Sequence, residues 1–418
     1  MKARTWNGSL RGSQIAIVFA LAITLSLMPT MQAQSYSVLY SFTGQSDGST
    51  PLAGVTMDAA GNFYGTTLTG GQYDFGSVYR MVRSGSSWSF YPLYSFKGET
   101  LYTLDGAEPY SRVTIGPDGA LYGTTFLGGN GQGCRELHGC GTVYKLQQNI
   151  NGAWTEKMIF QFGYYDGFGP FYGDIVFDQG GSLYGTTRDG GANLLGAVYK
   201  LSPGDGEWAE TVIHSFSGDD GSTPLNGPVI DVAGNLYGTT SAGGPNGWGT
   251  VYRLQGSGST WDGSVLHSFQ GGIDGMTASS GIVLDQAGNL YGDSEAAGSS
   301  GGGTVFELSP LSGGGWNFST LFSFSSAAPG GCYRTLVMDS AGNLYGTSAS
   351  GGARQRGSVF KLTSSNGGWI YTSLHDFTGG ADGAYPYGVL SFDTYDNVYG
   401  TASAGGTYGN GVVFEITP

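Results

Sequence analysis

The residues best placed to do chemistry are six aspartates that recur in one sequence context. Asp47, Asp105, Asp166, Asp220 and Asp382 each open an Asp-Gly-x-x-Pro stretch, and Asp274 opens the same stretch without its proline. Six carboxylates on equivalent loops would ring one mouth of a symmetric scaffold, where they could bind a cation or the hydroxyls of a sugar. Calcium takes six to eight oxygens, and one aspartate per loop is a sparse donor set. A turn residue, repeated because its turn is repeated, explains the same spacing. Arginines break the pattern. Arg112 stands where other units hold Gly54, Gly227 and Gly281, and the sixth unit replaces the Asp-Gly loop with Pro329-Gly330-Gly331-Cys332-Tyr333-Arg334. Neighbouring loops carry Tyr73, Asp74, His138, Arg188, Asp189, Trp248, Arg354, Arg356 and Tyr408. Guanidinium groups and aromatic rings at one mouth suit an anionic or carbohydrate ligand, through paired hydrogen bonds and stacking; loop drift gives the same residues without a ligand. The candidate ligand-binding set is therefore Asp47, Asp105, Arg112, Asp166, Arg188, Asp220, Asp274, Arg334 and Asp382.

Signals for catalysis are poor. Gly298-Ser299-Ser300-Gly301-Gly302 fits a Gly-x-Ser-x-Gly pattern, but it lies in a Gly/Ser loop with no helix behind it, so the strand-turn-helix context is missing. There is no His-Glu-x-x-His, phosphate loop or nucleotide fingerprint, and no metal or cofactor is expected.

The elements that position these loops announce themselves by repetition. A short phrase centred on Tyr-Gly recurs at Tyr64, Tyr122, Tyr184, Tyr237, Tyr291, Tyr345 and Tyr399, spaced 58, 62, 53, 54, 54 and 54 residues apart. Seven units near this period signal a radial or stacked repeat fold. Each unit divides into four short apolar–polar runs, A to D, separated by turn signals. In the fourth unit these are Pro224–Ile230, Leu236–Thr240, Thr250–Leu254 and Ser264–Phe269. This predicts an all-β, seven-bladed β-propeller with four-stranded blades occupying residues 34–418 as one domain. The chain opens on a D run, Tyr36 to Phe42, and closes on a C run, Gly411 to Ile416, so the N-terminal strand should complete the last blade and remove its open edge.

Most repeated residues have structural explanations. The Asp-x-x-Gly-Asn stretch (Asp58, Asp231, Asp285, Asp339) reads as the A-to-B turn, because aspartate accepts backbone N–H bonds and Gly and Asn tolerate positive φ. The B-run tyrosines read as packing between blades, with the next glycine making room for an aromatic neighbour. Trp88, Trp154, Trp208, Trp261, Trp316 and Trp369 precede D runs and should cover the outer hairpins. His214, His267 and His375 share one D-run slot with Tyr40 and Tyr94, which marks a packing position.

The order Asp-x-Ala-Gly-Asn-Leu-Tyr-Gly-Thr-Thr, Gly-Gly, Gly-Thr-Val-Tyr-x-Leu, Trp, Leu-x-Ser-Phe resembles the GloVer tandem-repeat family, also described as choice-of-anchor repeats, over nearly all of residues 36–418. The resemblance implies a secreted or surface-attached bacterial protein and supplies no activity. Family members can carry a C-terminal anchor; here Pro418 directly follows the last strand, so release or periplasmic residence is the expectation.

Composition agrees with export. Glycine is 78 of 418 residues and charged residues only 11%, against about 25% in an average soluble domain. Lys2, Arg4 and Arg11 precede an apolar run from Ile15 to Met28, then Pro29 and Met31-Gln32-Ala33; this reads as a signal peptide cleaved after residue 33, leaving no membrane span. The remainder carries 14 Lys and Arg against 31 Asp and Glu, a net charge of −17, which disfavours nucleic acid and anionic membranes. Of three cysteines, Cys134 and Cys140 are six apart in one loop and should pair; Cys332 is left over. The expected function is a monomeric binding scaffold for a glycan or protein partner. The alternative is a secreted polysaccharide lyase or hydrolase with its site at the channel mouth.

Overall fold

The computed structural model describes Met1 and residues 34–417, excluding 86, 99–104, 132, 135–137, 259 and 326–334. The expected signal peptide, Cys332 and Arg334 therefore lie outside the described residues. Seven four-stranded antiparallel sheets form a ring. Blades 1 to 7 are numbered by their B strands: Phe63–Thr67, Leu121–Thr125, Leu183–Thr187, Leu236–Thr240, Leu290–Ser294, Leu344–Ser348 and Val398–Ala402. Blade 4 is typical, with strand A at Val229–Ile230, B at Leu236–Thr240, C at Thr250–Ser257 and D at Thr260–Ser268, running outward from the axis. Among the described residues there is no helix.

The A strands are shorter than their apolar runs suggest. In blade 4 only Val229–Ile230 pairs with strand B, because the preceding backbone bonds across the seam instead: Tyr172 N donates to Leu225 O at 2.9 Å.

The Asp turn is the most regular device. Asp231 Oδ1 accepts from the backbone N–H groups of Ala233 and Asn235 at 2.9 and 2.8 Å, and Oδ2 accepts from the Asn235 amide at 2.8 Å and the Tyr237 hydroxyl at 3.1 Å. Corresponding Tyr–Asp bonds close all seven blades, at 2.9–3.3 Å. Burial pushes the Asp231 carboxyl up, but this donor set outweighs it and holds it below the usual carboxylate range. The glycine after each tyrosine lies beneath a C-strand ring of its own blade. A Cβ on Gly238 would meet the Tyr252 ring at 2.4–2.9 Å. That ring slot holds Tyr79, Tyr144, Tyr199 and Tyr252 in blades 1 to 4, all fully buried with hydroxyls lacking any partner, and Phe306, Phe360 and Phe414 in blades 5 to 7.

The two residues after Tyr-Gly stitch the ring. In four blades the first threonine reaches the next blade, as Thr66 Oγ1 donates to Ser111 O at 3.0 Å and Thr186 Oγ1 to Asn226 O at 2.9 Å; Thr124 Oγ1 instead donates to Ser111 Oγ of its own blade at 2.9 Å. The second bonds strand C, as in Thr240 to Thr250 at 2.9 Å. The tryptophans cover blade seams rather than their own hairpins alone. Trp208 meets Tyr122 of the preceding blade edge-on at 6.1 Å, and Trp261 meets Tyr184 at 5.8 Å. Ring closure is as the run order requires: Ser35–Ser41 pairs with Val412–Thr417, from Ser35↔Thr417 to Ser41↔Val412, with one bulge.

Candidate binding site

The D-to-A and B-to-C loops share one face, because they bridge one another: Ser49 with Thr69, Phe168 with Asp189, Ser222 with Ala242 and Ala384 with Ala404. The six aspartates on this face are held in separate turns. Asp47 accepts from Thr43 N at 2.8 Å, Gln45 N at 3.2 Å and the Tyr40 hydroxyl at 2.9 Å. Asp105 accepts from Lys97 N and the Tyr94 hydroxyl at 2.9 and 2.7 Å. Asp220, Asp274 and Asp382 bond His214, His267 and His375 at 2.8, 3.1 and 3.2 Å, together with backbone N–H groups. Asp166 accepts from Gly163 N at 3.2 Å. The D-run slot of Tyr40, Tyr94 and the histidines thus pins five of these loops to the D strand before them; at Asp166 that slot is Phe160, which offers no hydrogen bond. The carboxylates do not converge.

Arg112 lines the central channel, a cavity of about 780 Å³ whose other walls are mostly apolar A-strand side chains such as Val176, Ile230, Val283 and Leu336. Its Nε and backbone N both donate to Asp174 of the next blade, at 2.7 and 2.9 Å. The guanidinium is a seam clamp, already paired.

Arg188 belongs to a different grouping. Its guanidinium lies over the rings of Phe126 and Phe171, at 5.1 and 5.5 Å, and pairs with Asp189. Tyr110 joins these rings, 5.5 Å from Phe126 and 4.5 Å from Phe171, and Tyr172 lies 4.0 Å from Phe171. All five side chains are half-buried. They come from two loop columns: Tyr110 and Phe171 follow the prolines Pro109 and Pro170, where Leu52 and Leu225 stand in blades 1 and 4. Phe126 and Arg188 follow the Tyr-Gly-Thr-Thr phrase, where Leu68 and Ser241 stand. Among the described residues blade 2 alone has an aromatic in both columns, and blade 3 sets Phe171 and Arg188 beside them.

A disulfide braces this corner. Cys134 and Cys140 are bonded, and the loop they close rests on the next one. Cys134 Sγ lies 3.5 Å from Phe162 O, Gly169 N donates to Cys140 O at 2.9 Å, and a Cβ on Gly133 would touch Tyr164 at 3.1 Å. Tyr164 stacks on Phe168 at 5.4 Å, and Tyr165 beside it is exposed. Glu108, at the lip with φ 57°, has its carboxyl raised by burial.

Sequence reasoning placed Arg188 on the right face but missed Tyr110, Phe126, Phe171 and Tyr172. Aligning the seven units column by column would have shown them as departures from aliphatic or small residues. The remaining loop residues stay scattered: Asp74 caps Gly70 N at 3.1 Å, Arg356 reaches the Tyr385 hydroxyl, and Trp248, Tyr73 and Tyr408 are separately exposed.

Seven antiparallel blades closed by the first strand define the class: a β-propeller built from tandem repeats. The chain belongs to the Gloeobacter/Verrucomicrobia repeat family, whose model matches residues 26–225 and 171–414. No functionally curated protein matches it. Among solved structures, it is similar to a crystal structure from Bacteroides uniformis described as a 6-phosphogluconolactonase. The identity is 12% and the TM-score 0.50, covering 81% of this chain and 86% of that one. At this identity the likeness is one of fold.

Proposed function

We propose that the protein is an exported, non-enzymatic scaffold that binds carbohydrate at the corner between blades 2 and 3. The observation that carries this is the cluster of Tyr110, Phe126, Phe171 and Tyr172 under Arg188. Half-buried rings offer apolar faces to a pyranose, while Arg188 and Asp189 supply directional hydrogen-bonding groups. Loops held on a rigid sheet ring are a common place for such sites, and the disulfide limits the ordering cost on binding. Export rests on the apolar leader read from residues 1–33 and agrees with the family and the disulfide.

A glycan array, followed by calorimetry on the best hit, tests this. Phe171→Ala and Arg188→Ala should each weaken binding about tenfold, matching a stacking or cation–π contribution of roughly 1 kcal/mol. Arg354→Ala, on an exposed loop of blade 6, should leave binding unchanged. A glycan bound equally by all four proteins would move the site elsewhere, and no hit across the array would reject the carbohydrate reading.

A further inference from the structure

Blade 2 sets two lysines directly against each other. Its C and D strands, Thr142–Gln148 and Trp154–Gln161, pair Lys145 with Lys157. Residues opposite one another in an antiparallel pair share a face, and like charges there repel. In the other six blades the residue equivalent to Lys145 is also charged, but it faces an uncharged partner. Arg80 faces Tyr91, Lys200 faces Thr211, Arg253 faces Ser264, Glu307 faces Ser319, Lys361 faces Thr372 and Glu415 faces Ser37. Lys157 is therefore the departure, a cation where every other blade puts a hydroxyl.

Both lysines line a cavity of about 600 Å³ at the seam between blades 2 and 3. Its rim comes from an A-to-B turn, at Asp118, and a C-to-D hairpin, at Pro203 and Gly204, so it lies on the opposite face from the corner of Tyr110 and Arg188. Glycines leave room there: a Cβ on Gly181 or Gly206 would meet nothing within 4 Å. Ile159, Phe177 and Trp208 supply apolar walls. Lys145 Nζ lies 2.6 Å from Asp118 Oδ2 and 5.6 Å from the centre of the Tyr122 ring, and Lys157 Nζ donates to Gly206 O at 2.9 Å. One carboxylate thus serves two ammonium groups. Asp205 and Glu207 of the hairpin are exposed, and among the described residues Lys157 forms no ion pair. The cavity is left with an uncompensated positive charge in a chain of net charge −14, which suits an anionic ligand.

We propose that this seam cavity binds an acidic sugar, its carboxylate or sulfate group between Lys145 and Lys157 and its ring against Trp208. A single negative group balances the charge that the second lysine adds and relieves the repulsion across the strand pair. Lysine acts as a point charge rather than a planar fork, so either oxyanion satisfies it. The half-buried indole offers an apolar face to a pyranose, and Gln147 and Thr155, opposite one another on the same wall, offer hydrogen bonds to its hydroxyls. The site shares no residue with the corner above it and stands without that reading.

The test is calorimetry on the whole protein with glucuronic acid, a glucose sulfate ester, glucose and inorganic sulfate. Wild type should bind at least one of the two acidic sugars about tenfold or more tightly than glucose, and the binding should weaken as salt is added; which of the two binds more tightly identifies the anionic group. Phe171→Ala, which disables the corner, should bind the acidic sugars as wild type does, so failure of one site is read separately from failure of the other. Lys157→Thr, the residue of blades 3 and 6, should weaken this binding by about tenfold or more. Without ligand it should match or exceed wild type in urea unfolding, because the repulsion is gone. Lys157→Arg, which keeps the charge, should retain the binding. Equal affinity in wild type and Lys157→Thr, or no binding of either acidic sugar, would overturn the proposal. Inorganic sulfate bound as tightly as the acidic sugars would show an adventitious ion only and overturn it too.

Discussion

Two glutamates sit in a slot built for aromatic rings, and they should make the ring pH-sensitive. In blades 1, 5 and 6 the residue two places after the D-strand tryptophan stacks on the D strand of the preceding blade: Phe90 on Tyr40 at 4.4 Å, Phe318 on His267 at 3.9 Å, and Tyr371 on Phe322 at 5.5 Å; blade 4 has Gly263 there, against His214. Tyr36, in the same slot of the closing strand, stacks on His375 at 3.7 Å. Blades 2 and 3 place Glu156 and Glu210 there. Burial, with Asp105 nearby, raises Glu156 to about 7; burial, with Asp166 nearby, raises Glu210 to about 7. Each group binds its proton more tightly folded than unfolded, so folding takes up protons above the unfolded value of 4.5. Stability therefore falls as pH rises from about 4.5 to about 7 and then levels. At about 1.36 kcal/mol per pH unit the ceiling is ~3 kcal/mol per site. Both side chains are part-exposed, and solvent screening reduces this to about 1–2 kcal/mol each. In urea unfolding at a series of pH values, the double variant Glu156→Gln/Glu210→Gln should equal wild type near pH 4 and exceed it by about 2–4 kcal/mol at pH 8. Parallel profiles, or a variant less stable at pH 8, would falsify the argument.

Other perturbations probe separate layers of the same ring. Tyr252→Phe removes a buried hydroxyl with no partner from a slot where three blades already hold phenylalanine, and should raise stability by about 1 kcal/mol in urea melts; a loss of similar size would mean the hydroxyl has a partner in solution. Deleting residues 34–41 leaves Val412–Thr417 as an open edge, and should yield aggregates by light scattering. The Cys134→Ser/Cys140→Ser variant opens a short loop worth about 2 kcal/mol of chain entropy, and should weaken any glycan bound beside Phe171 as well as lower the denaturation midpoint. Unchanged affinity in that variant would separate the brace from the binding corner.

The sevenfold frame was legible because each blade repeats the same local physics. The Asp turn, the glycine under a C-strand ring and the D-run order that demands closure are all visible in one unit and confirmed by six more. What stayed hidden depends on neighbours in space. Phe126 and Phe171 lie far apart in sequence and meet only because consecutive blades place two loop columns side by side. Arg112 looked like a free cation at a mouth, yet the next blade presents Asp174 to it. The six aspartates suggested a ring of ligands, but five of them are taken up by the hydroxyls and imidazoles of the outer strand, which sequence spacing does not reveal. Glu156 and Glu210 look like ordinary surface acids until the column they interrupt is seen to be buried.

The pairing of Ser35–Ser41 with Val412–Thr417 also sets a clock. Ser35–Ser41 is the earliest described strand to be synthesised, and it has no partner until Val412–Thr417 has been made. At about 5–20 residues per second, the wait is roughly 20–80 s. For that interval one strand edge at each end of the growing ring stays unpaired. Any chaperone that serves this chain must hold Ser35–Ser41 until its partner strand emerges.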